Sequence, residues 1–396
     1  MPISHIIAKE FAAGGVALDT KLGSFVMGKR LPGVFPGMIL LLTAYVSLRL
    51  TQAADQLWGV HPQWSIFCGL VLFAVLVAFS QQHLFYNRIY RVCAMATSYY
   101  LCYMIYFLMA LVICDGVHML LRLLGVWELR AQTLVWMAGL SAAVWVAAGA
   151  VHARRLRVRP YEITLGTTGE QYRMVLLSDL HLGNFIRADY VKRIVDQVEK
   201  LEPDMVVISG DLFDSETTQE CLDLEQVEEQ FRRLRPKDGV YVVLGNHDPD
   251  VDDEAFQTFL KNAHLRLLYN ETACFPLFTL VGRMGLAEEN RAERTELRTL
   301  LSRTDRRKPS IVLDHDPQGL REAEQVGADL VLCGHTHKGQ FFPMNIFTAL
   351  SAGKGYFYGH VIHGKTQGVI SAGTGFYQLP IRNGSDSEIV DLHLQF

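Results

Sequence analysis

The sequence predicts an α/β domain preceded by an all-α membrane region. Three observations carry this reading. Long stretches without charge crowd residues 34–151. From Arg173 onward, short apolar runs rich in β-branched residues alternate with segments whose apolar residues recur at helical spacing. Five clusters of Asp, Asn and His follow the apolar runs, where buried strands give way to loops.

The chain has 396 residues, enough for two or three domains. It is 50% hydrophobic with a mean hydropathy of +0.15, and the apolar excess lies before residue 152. The net charge of −4 gives no global attraction to nucleic acid, so no such partner is expected. Seven cysteines include no CxxC pair, and only Cys221, Cys274 and Cys333 fall in the α/β half. That is no disulfide framework, and it favours a reducing compartment.

Residues 1–33 read as an N-terminal cytoplasmic segment. Glu10 and Asp19 interrupt its bases, and no compact apolar core precedes a cleavage site, unlike a secretory signal. About four spans are expected in residues 34–151. Val92–Cys114 is the clearest, uncharged throughout and long enough to cross roughly 30 Å of hydrocarbon. Leu134–Val151, Ser65–Phe79 and Val34–Leu48 are the others, with a buried core helix as the competing reading of each. Lys9, Lys21, Lys29 and Arg30 precede the first span, and Arg88 and Arg91 lie between the second and third. Arg154, Arg155, Arg157 and Arg159 follow the fourth. With four spans these groups share one side, which predicts an integral inner-membrane protein with a cytoplasmic C-terminal domain. Residues 152–170 read as a basic linker. Its arginines either meet anionic headgroups or only set topology. The spans read as an anchor.

In residues 171–396, strands are expected at Met174–Leu177, Met205–Ser209, Val240–Leu244, Phe278–Gly282, Ser310–Leu313, Leu330–Cys333, Gly368–Ser371 and Glu388–Leu394. Ala188–Leu201 places Val191, Ile194, Val195 and Val198 on one helical face. Asp223–Leu234, Glu254–Leu260 and Arg291–Arg303 are further helices. Such alternation gives a sheet covered by helices, and the later strands point to a second, mixed sheet.

The five clusters are Asp179-Leu180-His181, Gly210-Asp211-Leu212-Phe213-Asp214, Gly245-Asn246-His247-Asp248, His315 after the Ile311-Val312-Leu313 run, and Gly334-His335-Thr336-His337. Sites in open α/β sheets form beyond the carboxyl ends of strands. Asp, Asn and His bind hard and borderline divalent cations. A single such histidine is more often structural than a ligand. Five clusters at strand exits point to one convergent metal site.

This order resembles the calcineurin-like metallophosphoesterase superfamily: Asp-x-His, Gly-Asp-x-x-Asp, Gly-Asn-His-Asp, a separate His, then Gly-His-x-His. The match spans roughly residues 171–395. The run from Gly334 to Gln340 looks like the bacterial membrane-associated branch and related transmembrane proteins with a metallophosphoesterase domain. The resemblance implies a four-layer α-β-β-α sandwich and two divalent cations. Asp179, His181, Asp211 and His337 would hold one ion. Asp211, Asn246, His315 and His335 would hold the other, with Asp211 bridging. His247 would protonate the leaving oxygen, and Asp214 and Asp248 would orient imidazoles, ordinary loop capping being the alternative. Mn²⁺ is the expected metal, with Fe or Zn²⁺ also fitting the donors.

The implied function is a membrane-anchored phosphoesterase. It would cleave phosphodiester or diphosphate bonds by attack of a bridging hydroxide. A lipid-linked substrate is expected, such as a UDP-2,3-diacylglucosamine-type diphosphate. One alternative is a nucleotide or nucleic-acid phosphodiesterase, against which stands the lack of a concentrated basic groove. Another is a non-catalytic membrane scaffold, against which stand intact Asp211 and His247. No protein partner is evident. The aromatic stretch Phe341–Tyr358 either packs the second sheet or meets lipid, with Phe341 and Tyr356 as the residues to test. His152, His264 and His393 read as structural or exposed, while His360 and His363 are open to a substrate contact.

Overall fold

The computed structural model describes residues 34–80, 88–126, 128–214, 222–285 and 294–396. The N-terminal segment 1–33, Cys221 and the first residues of the expected Arg291–Arg303 helix lie outside these.

Among the described residues, four helices precede the α/β domain: α1 (Val34–Trp58), α2 (Gln63–Ser80), α3 (Arg88–Leu123) and α4 (Ala131–Ala153). They overlap the four expected spans. Two stretches, Arg91–Leu123 within α3 and the whole of α4, are long and apolar enough to cross a membrane. The 36 residues of α3 rise about 54 Å, well beyond a hydrocarbon core. Its early turns instead meet the domain, where the rings of Tyr99 and Phe185 lie 6.1 Å apart. Helix α4 buries Ala138, Ala142, Val146, Gly149 and Ala153 on one face, and such small residues let neighbouring helix backbones approach closely. Arg49 of α1 lies 2.5 Å from Asp115 of α3, and the Tyr45 hydroxyl donates to the same carboxylate at 2.6 Å. Both helices run past the expected span ends, so these charges sit inside the bundle and satisfy each other.

The domain holds two six-stranded sheets. The first contains β1 (Leu156–Thr164), β2 (Gln171–Leu177), β3 (Met205–Ser209), β4 (Val240–Val243), β5 (Arg266–Leu267) and the final strand β12 (Ser387–Gln395), in the order β1-β12-β2-β3-β4-β5. The second contains β6 (Glu271–Cys274), β7 (Thr279–Gly282), β8 (Ser310–Leu313), β9 (Leu330–Cys333), β10 (Gly359–His363) and β11 (Thr366–Ile370), in the order β10-β11-β9-β8-β7-β6. Strands β2 to β5 run parallel, as do β7, β8, β9 and β11. Their carboxyl ends therefore open onto one rim.

Period-two alternation builds the layers. Met174, Leu176, Val207 and Val243 face inward and meet Leu280, Ile311, Leu313 and Leu332 of the second sheet. Val175, Leu177, Val206 and Val242 face outward, against α5 (Ala188–Leu201), α6 (Leu224–Phe231) and α7 (Glu254–Asn262). Each fully buried Val or Ile on that face contributes about 1.5–3 kcal/mol. On the far side α8 (Leu297–Ser302) and α9 (Gly319–Val326) cover Val281, Val312 and Val331. The result is the expected α-β-β-α sandwich.

One expectation needs correction, and one open alternative is decided. Residues 156–164, read as part of a basic linker, form β1 and pair in parallel with the whole of β12. Arg157 and Arg159 are used there, 3.0 and 2.6 Å from Asp386, rather than left for headgroups. The aromatic stretch contains a helix, α10 (Met344–Ala352), none of whose residues is buried. Phe341 beside it is buried, and Tyr356 packs at the second sheet's outer layer. Those two side chains are therefore not the ones offered to lipid.

Candidate metal centre

Each of the five clusters begins where a parallel strand runs out, and the backbone turns sharply at once. Asp179, His181, Asp211, His335 and His337 all have φ between 50° and 71°, a left-handed conformation that non-glycine residues adopt at a cost of order 1–3 kcal/mol each. The surrounding glycines allow the crowding. A Cβ on Gly245 would stand 2.0 Å from Asp211 Oδ1, and one on Gly334 would stand 2.3 Å from Asp179 Oδ2. Side-chain size at both positions is therefore limited by the site itself.

The structure brings these donors into two groups. Asp179, His181 and His337 offer ligand atoms within 4.8 Å of one another, and so do Asp211, His315 and His335. Asp211 touches both, with Oδ2 lying 3.1 Å from His315 Nε2 and 3.6 Å from His181 Nε2. Asn246 joins the second group, its Oδ1 lying 3.0 Å from His335 Nδ1. His181 Nε2 and His337 Nε2 face each other at 3.1 Å. Two imidazole nitrogens aimed at one point beside a carboxylate suit a cation better than they suit each other. Asp179 Oδ2 is buried without a hydrogen-bond partner. Such an orphaned carboxylate oxygen is costly unless a ligand meets it. The donor set therefore fits two divalent cations without thiolate.

Supporting contacts fix the ligands. The His335 amide donates to Asp179 Oδ1 at 2.8 Å, and the His247 amide donates to Asp211 Oδ1 at 3.0 Å. His315 Nδ1 lies 2.8 Å from the Ser209 carbonyl, which leaves Nε2 toward Asp211. Asp214 lies 3.6 Å from His181 Nδ1, in position to align that ring. Asp248 takes the loop-capping alternative. It accepts from the amides of Phe213 and Gly245 at 3.0 and 2.8 Å, tying two site loops together.

Protein charges alone give the centre a strong field. Burial opposes charge on Asp211, yet the charge and hydrogen bond of His315 hold its carboxyl well below the usual range. Burial pushes His181 down to about 3 and His337 well below its ordinary value, keeping both rings neutral and able to ligate. Burial, reinforced by the charge of Asp211, pushes Asp214 and Asp248 up to about 7.

A family model for calcineurin-like phosphoesterases matches residues 172–339. A metallophosphoesterase of Aquifex aeolicus is 31% identical over 192 residues, covering 47% of this chain and 72% of that protein. The chain belongs to the calcineurin-like metallophosphoesterase family. Members of this phosphoesterase hydrolase family bind a dinuclear metal, in keeping with the two His/Asp groups. An uncharacterized metallophosphoesterase of Helicobacter pylori strain J99 is 32% identical over 246 residues, 61% of this chain and 64% of the relative. A transmembrane protein with metallophosphoesterase domain from Danio rerio is 34% identical over 237 residues, 56% of this chain and 53% of the relative. The match thus spans less than two thirds of either of these two relatives.

This metallophosphoesterase domain also uses residues that the motif reading missed. The Tyr377 ring lies 4.5 Å from that of His247 and 4.9 Å from that of His181. Gln340 holds that loop, accepting from the Tyr377 amide at 2.8 Å and donating to the carbonyls of Tyr377 and Leu379. Fully buried Arg382 donates to the carbonyls of Ala372, Gly375 and Asp386 at 2.6–2.8 Å and stands 3.4 Å from His337 Nδ1. Only Gln340 had a sequence signal, as the end of the Gly334 run. His360 and His363 are engaged elsewhere, with Gln367 and the Gly355 carbonyl.

Proposed function

We propose that this chain is a membrane-anchored, two-cation phosphoesterase that cleaves phosphodiester or diphosphate bonds in a lipid-linked substrate. One observation carries the lipid reading. Phe341 and Ile381, next to site-supporting Gln340 and Arg382, are buried in one cluster with Val46, Cys102, Tyr106 and Ala142 of the apolar helices. The rim of the site is therefore continuous with the anchor, so a substrate held in the same bilayer meets it without leaving the membrane. The charge run Arg154–Arg159, at the domain end of α4, supports a cytoplasmic placement at the inner membrane.

Asp179, His181, Asp211 and His337 are assigned to one cation, and Asp211, Asn246, His315 and His335 to the other. Divalent cations held there would share the charge of a phosphoryl oxygen and would lower the pKa of a water toward neutrality; Mn²⁺ is the metal we would supply first. His247 is placed to pass a proton to the departing oxygen. Its amide is tied to Asp211, and its ring is held beside Tyr377. Burial pushes its pKa down in the free site. An anionic phosphoester beside the ring works the other way.

The test is hydrolysis by the full chain in vesicles with Mn²⁺. Lipid-linked diphosphates, bis(p-nitrophenyl) phosphate and nucleotides are compared, with Asp211→Ala as control. The reading expects cation-dependent cleavage that favours the lipid-linked diphosphate. Cleavage of the soluble esters alone would remove the lipid substrate and keep the reaction class.

A further inference from the structure

The loop bearing His335 and His337 gives rise to an excursion that returns to it. The chain leaves through Gly339, whose Cβ position lies 2.2 Å from the Asn345 Cα, and only glycine tolerates this approach at φ 68°. It passes through α10 and comes back at Phe357, whose carbonyl accepts from Thr336 Oγ1 at 2.7 Å. Thr336 stands between the two histidines. Helix α10 is thus mounted at both ends on the metal-bearing loop.

Among the described residues, nothing covers this helix. None of its residues is buried, and Phe347 and Leu350 are 59% and 57% exposed. From Phe341 to Gly353 there is no charged residue, while Lys338 and Lys354 flank the run. An apolar surface with basic ends suits an interfacial helix, not a water-facing one. Its position agrees. The Tyr106 hydroxyl of α3 donates to the Phe342 carbonyl at 2.8 Å. Phe342 also closes a shallow apolar groove between α3 and α4, along with Met109, Ile113 and Trp145. These contacts hold the start of α10 beside α3 and α4, the two helices long and apolar enough to cross a membrane.

We infer that α10 lies in the bilayer interface, its Met344, Ile346, Phe347 and Leu350 side chains among the acyl chains, and so holds the metal-bearing loop against the lipid surface. The occupant is the bilayer itself. This rests on the reading that α3 and α4 cross the membrane, and it deepens the proposed function by showing how a lipid headgroup would be met.

The experiment places a trifluoromethyl-phenylalanine at position 347 of the full chain in lipid nanodiscs, with position 275 as a control. Fluorine relaxation by dissolved oxygen, which concentrates in lipid, is compared with relaxation by a water-soluble nickel chelate. Docking predicts a ratio favouring oxygen by at least about threefold over the control position. A label relaxed mainly by nickel overturns the proposal. So does a label shielded from both agents, which would mean a protein partner or a second copy. A Phe347→Ser/Leu350→Ser variant adds a functional arm. Its cleavage of a vesicle-borne diphosphate should fall roughly tenfold while a soluble nitrophenyl ester is cleaved as before. If the wild type cleaves neither substrate, the enzymatic reading fails, while the fluorine label still decides docking.

Discussion

Five donor clusters were legible in the sequence because each needs its residue type for chemistry and stands at a strand exit. The loops that steady them were not, since Tyr377 and Arg382 lie far along the chain and carry no spacing signature. Asp248 shows the limit of a motif at single-residue scale. Its position suggests an imidazole partner, but its carboxylate ties backbone amides instead. Two outcomes follow at this scale. His247→Gln should keep its bound metal yet lose about 10²–10³-fold in kcat on esters with poor leaving groups, and less on nitrophenyl esters. Comparing the two leaving groups, with metal content measured in parallel, checks the proton-donor role; equal losses would contradict it. Gly245→Ala puts a methyl 2.0 Å from Asp211 Oδ1, so that carboxylate must move. Overpacking of this kind costs about 1–3 kcal/mol, and metal affinity measured by titration should fall together with Tm.

At the scale of elements, strong periodicity was readable and flat patterns were not. Helix α5 matches its expected Ala188–Leu201 bounds because its polar and apolar faces are distinct, and Met205–Ser209 reads as a strand because it is wholly buried. Strand β1 was hidden because its arginines alternate with apolar residues just past a span, where a basic linker is the simpler reading. Helix α10 was hidden because its polar stripe of Asn345, Thr348 and Ser351 is short and uncharged, and Gly and aromatic residues crowd both sides. A Cβ on Gly149 of α4 would lie 2.2 Å from Asn383 Oδ1, and Asn383 donates to Tyr106 and the Trp145 carbonyl. Gly149→Val should therefore pry the helix from the domain. Faster proteolysis between the two regions, with Asp211-dependent metal binding retained, is the expected result.

For the whole molecule, the apolar helices and the α/β domain are joined by contact rather than by a tether. The Arg382 amide donates to the Gly149 carbonyl at 3.0 Å, and Ser387 Oγ donates to the Ala153 carbonyl at 2.9 Å. His152 at the end of α4 lies 2.7 Å from Asp386, which Arg157 and Arg159 also face. Burial opposes charge on Asp386, but the His152 hydrogen bond and the two arginines hold its carboxyl below the ordinary range. Its stabilising contribution is thus complete above the ordinary Asp value of about 3.9 and disappears as pH falls through the depressed one. Asp386→Asn should lower Tm at pH 7, and the gap to wild type should close on acidification below about pH 4. A gap that stays constant with pH would show that the joint does not depend on this charge.

The account depends most on a centre that binds two cations through one shared carboxylate. Counting metal per chain tests this directly, by plasma mass spectrometry of the full-length protein equilibrated with Mn²⁺. Two ions per chain are predicted, falling to one or fewer in Asp211→Ala with the fold intact by circular dichroism. A wild type that binds no more than one ion, or an Asp211→Ala variant that still holds two, would contradict the account.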